Sequence, residues 1–188
     1  MTTSKDTREV TLISSDKQEF KLSAEAVKLA RMVASSLNLI QEDEDADEED
    51  TAAELDPLEL SRVEGSVLAK VVEYLSHYLE EPMKEIPQPL GGTTFNEVMT
   101  QEWYQTYAHG MSDELLFQVL TAANYMEIQP LLDLACLRVT FQLQGKSAEE
   151  VCLLRSEIEV FSNVLTNATL DHLFNYLNWL NCIRFAQF

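Results

Sequence analysis

The sequence predicts an α+β domain, with a small sheet laid down early and a cluster of helices after it. Two patterns carry that expectation. Between Val10 and Leu22 apolar and polar residues alternate, the two-residue period of a strand with one buried face. From about Val67 onward apolar residues recur at three- and four-residue spacing, the period of a helix with one apolar stripe. The hydrophobic fraction is 46%, enough to pack a core.

The first element is a hairpin. In "REVTLISSDKQEFKLS", Val10, Leu12, Phe20 and Leu22 alternate, and "SSDKQ" supplies the turn. Lys17 is an imperfect turn residue, because short hairpins favour glycine or asparagine where φ is positive. Ser23 can cap a following helix, in which Val27, Ala30, Val33 and Leu37 share a face. "QEDEDADEEDTAAE" then interrupts the pattern. Its acidic side chains repel one another and bury no apolar area, so residues 41–56 are expected to form a disordered loop. The Asp, Asn and Gly spacing of a calcium loop is absent from it.

"DPLELSRV" predicts a short third strand with Leu58 and Leu60 on one face. "EGSVLAKVVEYLSHYLEE" follows as a helix with Leu68, Val71, Val72 and Leu75 inward. The Pro- and Gly-rich stretch across 80–99 is expected to be a surface loop. "QEWYQTYA" then predicts a brief helix carrying Trp103. In "SDELLFQVLTAANYMEI" a stripe of Leu116, Val119, Leu120 and Ala123 predicts a longer one. Pro130 suits the first turn of the next helix, where no amide donor is needed. There Leu132, Cys136, Val139 and Leu143 form an apolar face, and Gly145 can stop the helix. Ser147 and Glu150 form a capping box before a short helix through Val151 and Leu154. A last helix carries Leu170, Leu173, Phe174, Leu177 and Leu180.

Net charge is -19, from 32 acidic and 13 basic residues. Binding to nucleic acid or an anionic membrane is not expected, since both need clustered Lys and Arg. The plainest role of the charge is solubility. The N-terminus lacks an apolar signal core, and no apolar run is long enough to span a bilayer. Cys136, Cys152 and Cys182 are widely spaced in apolar surroundings, which points to a reducing compartment rather than a disulfide framework. The "NAT" at Asn167 is then a chance match to a glycosylation acceptor. No GxGxxG, Walker A, HExxH or GxSxG motif occurs, and His77, His109 and His172 lie far apart. No enzyme, cofactor or metal site is expected.

"LLFQVLTAANYMEIQPLLDLACLRVTFQLQGKSAEEV" resembles the Skp family, the S-phase kinase-associated adaptors of SCF ubiquitin ligases. The matching elements are Leu116-Phe117, Ala122 to Tyr125, Ile128, Leu131 to Asp133, Cys136, Gly145-Lys146 and Glu149-Glu150. "VTLISSDKQEF", "DPLELSRVEGSVLAKVVEYLSHY" and "QEWYQ" extend the resemblance backwards, from about Glu9 to Val151. Beyond Leu154 the chain lacks the family's phenylalanine-asparagine-isoleucine and its run of glutamates, while Trp179 suits its terminal tryptophan.

The resemblance implies a BTB/POZ fold over 9–143 and a C-terminal helical extension over 144–188. It implies a non-catalytic adaptor, cytoplasmic and nuclear, with a cullin and F-box proteins as partners. Trp103, Asn124 and Tyr125 would meet the cullin. Leu116, Cys136, Val139, Leu143, Val151, Leu154, Leu170, Leu173, Phe174, Leu177 and Trp179 would meet the F-box. From spacing alone, Cys136, Val139 and Leu143 are better explained as core packing, and Asn124 and Tyr125 can be read as a polar helix end with a half-buried Tyr. An elongin C-like adaptor and a self-assembling BTB scaffold are the alternatives. A homodimer of the free chain is left open.

Overall fold

The structure is a computed structural model that describes residues 8–39, 56–87, 90 and 92–143. The acidic run, Gly145, the capping box at Ser147 and the helices expected after it lie outside the described residues. What is described falls into two compact units. The first takes in the chain up to Pro82 together with Tyr125–Ile128, and the second takes in Met83–Asn124 and the chain from Gln129.

The first unit holds the sheet. Strands β1 (Glu9–Ser14) and β2 (Glu19–Ser23) pair antiparallel, with Val10 opposite Leu22 and Leu12 opposite Phe20. Strand β3 (Leu58–Leu60) joins the other edge of β1 in parallel, giving the order β2-β1-β3. Because β3 lies on the edge of β1 away from β2, the chain crosses over between β2 and β3. Alternation fixes the register: Val10, Leu12, Leu22 and Leu60 are buried, and a one-residue slip would turn each of them outward. Lys17 takes φ 64, the left-handed conformation its place in the turn demands.

The hairpin turn does more than reverse the chain. Helix α3 (Gly65–Glu80) begins after Glu64, whose side chain caps nothing. Asp16 supplies the missing acceptor from a distance, its Oδ1 receiving the Gly65 N–H at 2.8 Å. The same carboxylate accepts from the Ser14 hydroxyl at 2.6 Å and the Gln18 amide at 2.6 Å. The Ser14 bond is the largest cause holding the Asp16 carboxyl below its ordinary range. Ser15 N–H also donates to the Val63 carbonyl at 2.9 Å, so the turn is tied to the segment leading into α3. A Cβ at Gly65 would stand 2.6 Å from the Gln18 side chain, so the glycine leaves room for this dock.

Two expectations in this unit need correction. The stripe from Val27 to Leu37 is not one helix. It divides into α1 (Ala24–Val27), capped by Ser23, and α2 (Arg31–Ser36). Leu29 and Ala30 donate to carbonyls only three residues back, which tightens and ends α1, and Ala30 leaves helical geometry at φ -92, ψ 87. Helix α2 ends in a Schellman pair, Leu39 N–H to the Ala34 carbonyl and Asn38 N–H to Ser35, with Asn38 at φ 53. In α3, Leu68, Val71 and Leu75 are fully buried as expected, but Val72 is only half-buried. Tyr74, fully buried, stands on the inward face instead.

The second unit is helical. The stretch expected as a loop over 80–99 contains one helical turn, α4 (Phe95–Val98). Glu97 accepts from the N–H groups of Thr93 at 2.7 Å and Thr94 at 3.3 Å, closing a capping box with Thr94 at the start of the turn. Helix α5 (Glu102–His109) carries Trp103, and α6 (Asp113–Tyr125) starts at Ser112, whose hydroxyl accepts from Leu115 N–H at 3.3 Å. Helix α7 (Gln129–Leu143) was expected to show one apolar face. Leu131, Leu132, Leu134, Ala135, Cys136, Leu137, Val139, Thr140 and Leu143 are all buried, so the helix is enclosed on nearly every side. Its one buried hydroxyl is satisfied, Thr140 Oγ1 donating to the Cys136 carbonyl at 2.7 Å.

Candidate functional site

Helix α6 ends at Tyr125 and α7 begins at Gln129, leaving Met126, Glu127 and Ile128 as the joint. Met126 and Ile128 are fully buried, while Glu127 between them is exposed with φ 57. That alternation pins the joint from inside: two apolar side chains point into the core and the residue between absorbs the left-handed turn. The backbone is fastened as well. Met32 N–H, in the first turn of α2 and so without a partner in its own helix, donates to the Met126 carbonyl at 3.3 Å.

Asn124 and Tyr125 are both half-buried at the end of α6. The Tyr125 ring is met by Arg62, whose guanidinium carbon lies 5.7 Å from the ring centre, within the range of a cation–π contact. Sequence reading missed Arg62, since the two residues are far apart in the chain and no local pattern links them. Trp103 stands half-buried on α5, stacked on Tyr107 with ring centres 5.0 Å apart and edge-on to Tyr104 at 5.1 Å. It belongs to the second unit and Tyr125 to the first.

The described F-box candidates are placed differently. Leu116 is 1% exposed, Cys136 0%, Val139 1% and Leu143 8%. They are interior residues of the chain as it stands, and a partner could reach them only if their cover moved. Val151, Leu154, Leu170, Leu173, Phe174, Leu177 and Trp179 lie outside the described residues. Burial, with the Asp133 carboxylate adding to it, pushes the Cys136 thiol up to about 12, so it remains protonated and inert at neutral pH. Among the described residues no group of His, Cys, Asp and Glu could hold a metal ion, and no helix is long and apolar enough to cross a membrane.

A three-stranded mixed sheet in one unit and packed helices in the other define a POZ-type domain. Residues 8–80 match the family model described as "Skp1 family, tetramerisation domain". The chain is 31% identical over 146 residues to the "E3 ubiquitin ligase complex SCF subunit sconC" of Talaromyces marneffei, covering 76% of this chain and 81% of that protein. It is 28% identical over 145 residues to the protein of the same name from Arthroderma benhamiae, covering 77% and 80%. To the "Suppressor of kinetochore protein 1" of Schizosaccharomyces pombe it is 27% identical over 142 residues, covering 76% and 81%. The chain belongs to the Skp1 family.

Proposed function

We propose that the chain is a non-catalytic adaptor subunit of an SCF ubiquitin ligase, joining a cullin to the F-box proteins that select substrates for ubiquitination. One observation carries this reading: the match to a relative named as an SCF subunit runs through 81% of that relative's length.

The cullin is assigned to Asn124 and Tyr125 at the α6–α7 joint and, separately, to Trp103 on α5. Half-buried aromatic side chains on a fixed backbone suit this task, because they bring contact area at little entropic cost. The F-box is assigned to the α7 side, through Leu116, Cys136, Val139 and Leu143 together with the C-terminal candidates from Val151 to Trp179. The adaptor works in cytoplasm and nucleus and takes neither nucleic acid nor membrane as a partner. Affinity purification of the tagged full chain, followed by identification of what it carries, tests the reading. Recovery of a cullin with several F-box proteins is the expected result. Recovery of receptors bearing a different box would favour an elongin C-like adaptor. Recovery of further copies of the chain alone would favour a self-assembling scaffold.

A further inference from the structure

We infer that Arg62 is a positioning residue for the partner-binding joint: its guanidinium holds the Tyr125 ring in place for the cullin. The inference rests on the assignment of the joint to the cullin given above. It starts from the way Arg62 is mounted. The residue sits in the turn between β3 and α3, closed by a bond from Val63 N–H to the Leu60 carbonyl at 3.1 Å. The Val63 carbonyl in turn accepts from Ser15 N–H at 2.9 Å, and the Val63 side chain is only 2% exposed. The backbone just after Arg62 is therefore tied both to β3 and to the hairpin turn.

From that fixed base the exposed Arg62 side chain reaches the Tyr125 ring, 5.7 Å from guanidinium carbon to ring centre. The Met126 carbonyl next to it is tied to α2 at 3.3 Å. Backbone and ring of the same short segment thus have separate anchors, one from α2 and one from the β3–α3 turn. Tyr125 is half-buried and would otherwise be free to change rotamer on its exposed side. Holding it before the partner arrives removes an ordering cost from association. Arginine suits the position better than lysine because its flat, weakly hydrated cation can lie against an aromatic face.

The test measures the affinity of the purified full-length chain for a purified cullin, by calorimetry, in wild type, Arg62→Ala, Arg62→Lys, Tyr125→Leu and the Arg62→Ala/Tyr125→Leu double variant. Melting temperature is recorded for each. Arg62→Ala should weaken binding about three- to tenfold with the melting temperature nearly unchanged, in line with the strength of a part-exposed cation–π contact. Arg62→Lys should recover part of the loss. In the Tyr125→Leu background Arg62→Ala should add almost nothing, since the ring it holds is gone. If Tyr125→Leu weakens binding but Arg62→Ala does not, or if the two losses simply add, the positioning role is wrong while the joint stands. If Tyr125→Leu leaves affinity unchanged, the assignment of the joint fails, and the role of Arg62 falls with it.

Discussion

The joint after α6 and the body of α7 are neighbours in sequence, yet they offer a partner different things. At the joint, Asn124 and Tyr125 are half-buried, Glu127 is exposed, and the chain is fastened by Met126, Ile128 and a bond from α2. Along α7 nine of the fifteen residues are buried, Cys136, Val139 and Leu143 among them. A partner can dock on the joint as it is built. To reach Cys136, Val139 or Leu143 on α7 it must displace something. An apolar stripe therefore does not by itself mark an interface, since the stripe of α7 is buried within the chain.

Placing like charges on the joint is the strongest way to break this contrast. Asn124→Lys with Tyr125→Lys should reduce cullin affinity by about 3–5 kcal/mol, because two charges would be buried at an interface centre. F-box binding should survive, and so should the fold, since both positions are part-exposed. A folded double variant with undiminished affinity in calorimetry would put the cullin elsewhere.

In α7 the equivalent change should act on folding. Leu137 is fully buried, and Leu137→Ala should cost about 3 kcal/mol in urea unfolding, from lost burial and the cavity left behind. A cost below about 1 kcal/mol would mean that the helix is loosely covered and closer to a reserve binding face than to core. Ser23→Ala should cost about 1 kcal/mol, since the hydroxyl accepts from Ala26 N–H at 3.3 Å at the start of a helix of only four residues.

The smallest effect concerns acid. Asp16 and Glu97 both have carboxyl groups held below their ordinary range, by the Ser14 hydroxyl first for Asp16 and by the Thr93 N–H first for Glu97. A depressed folded-state value means the stabilisation is fully present above the unfolded value of about 4 and is lost as pH falls through the folded one. The share of stability that Asp16 contributes, read in urea unfolding as the difference between wild type and Asp16→Asn, should therefore be constant from neutral pH to about 5 and decline below about 4. Asp16→Asn should lower stability at neutral pH.

How far the sequence reveals this molecule depends on whether the cause is local. The hairpin is plain in the alternation of Val10, Leu12, Phe20 and Leu22, and the strain at Lys17 is visible in the turn's composition. The break at Ala30 is hidden, because Val27, Ala30 and Val33 stay buried whether or not the helix between them is continuous. The turn at Phe95–Val98 had a local signal, threonine and glutamate three apart, but the Pro and Gly around it pointed to loop. Asp16 capping α3 and Arg62 holding Tyr125 are contacts between distant segments, which no periodicity encodes. At the site, Asn124 and Tyr125 came from family resemblance, and the burial of Cys136 and Val139 needed the packing itself.

In hydrogen exchange of the full-length chain, alone and saturated with a purified cullin, the amides of Asn124–Ile128 should gain protection in the complex, while the interior amides of Leu131–Leu143 should be protected already in the free chain and change little. Unchanged exchange across Asn124–Ile128 in a chain shown to be bound would contradict the assignment of the cullin to the joint.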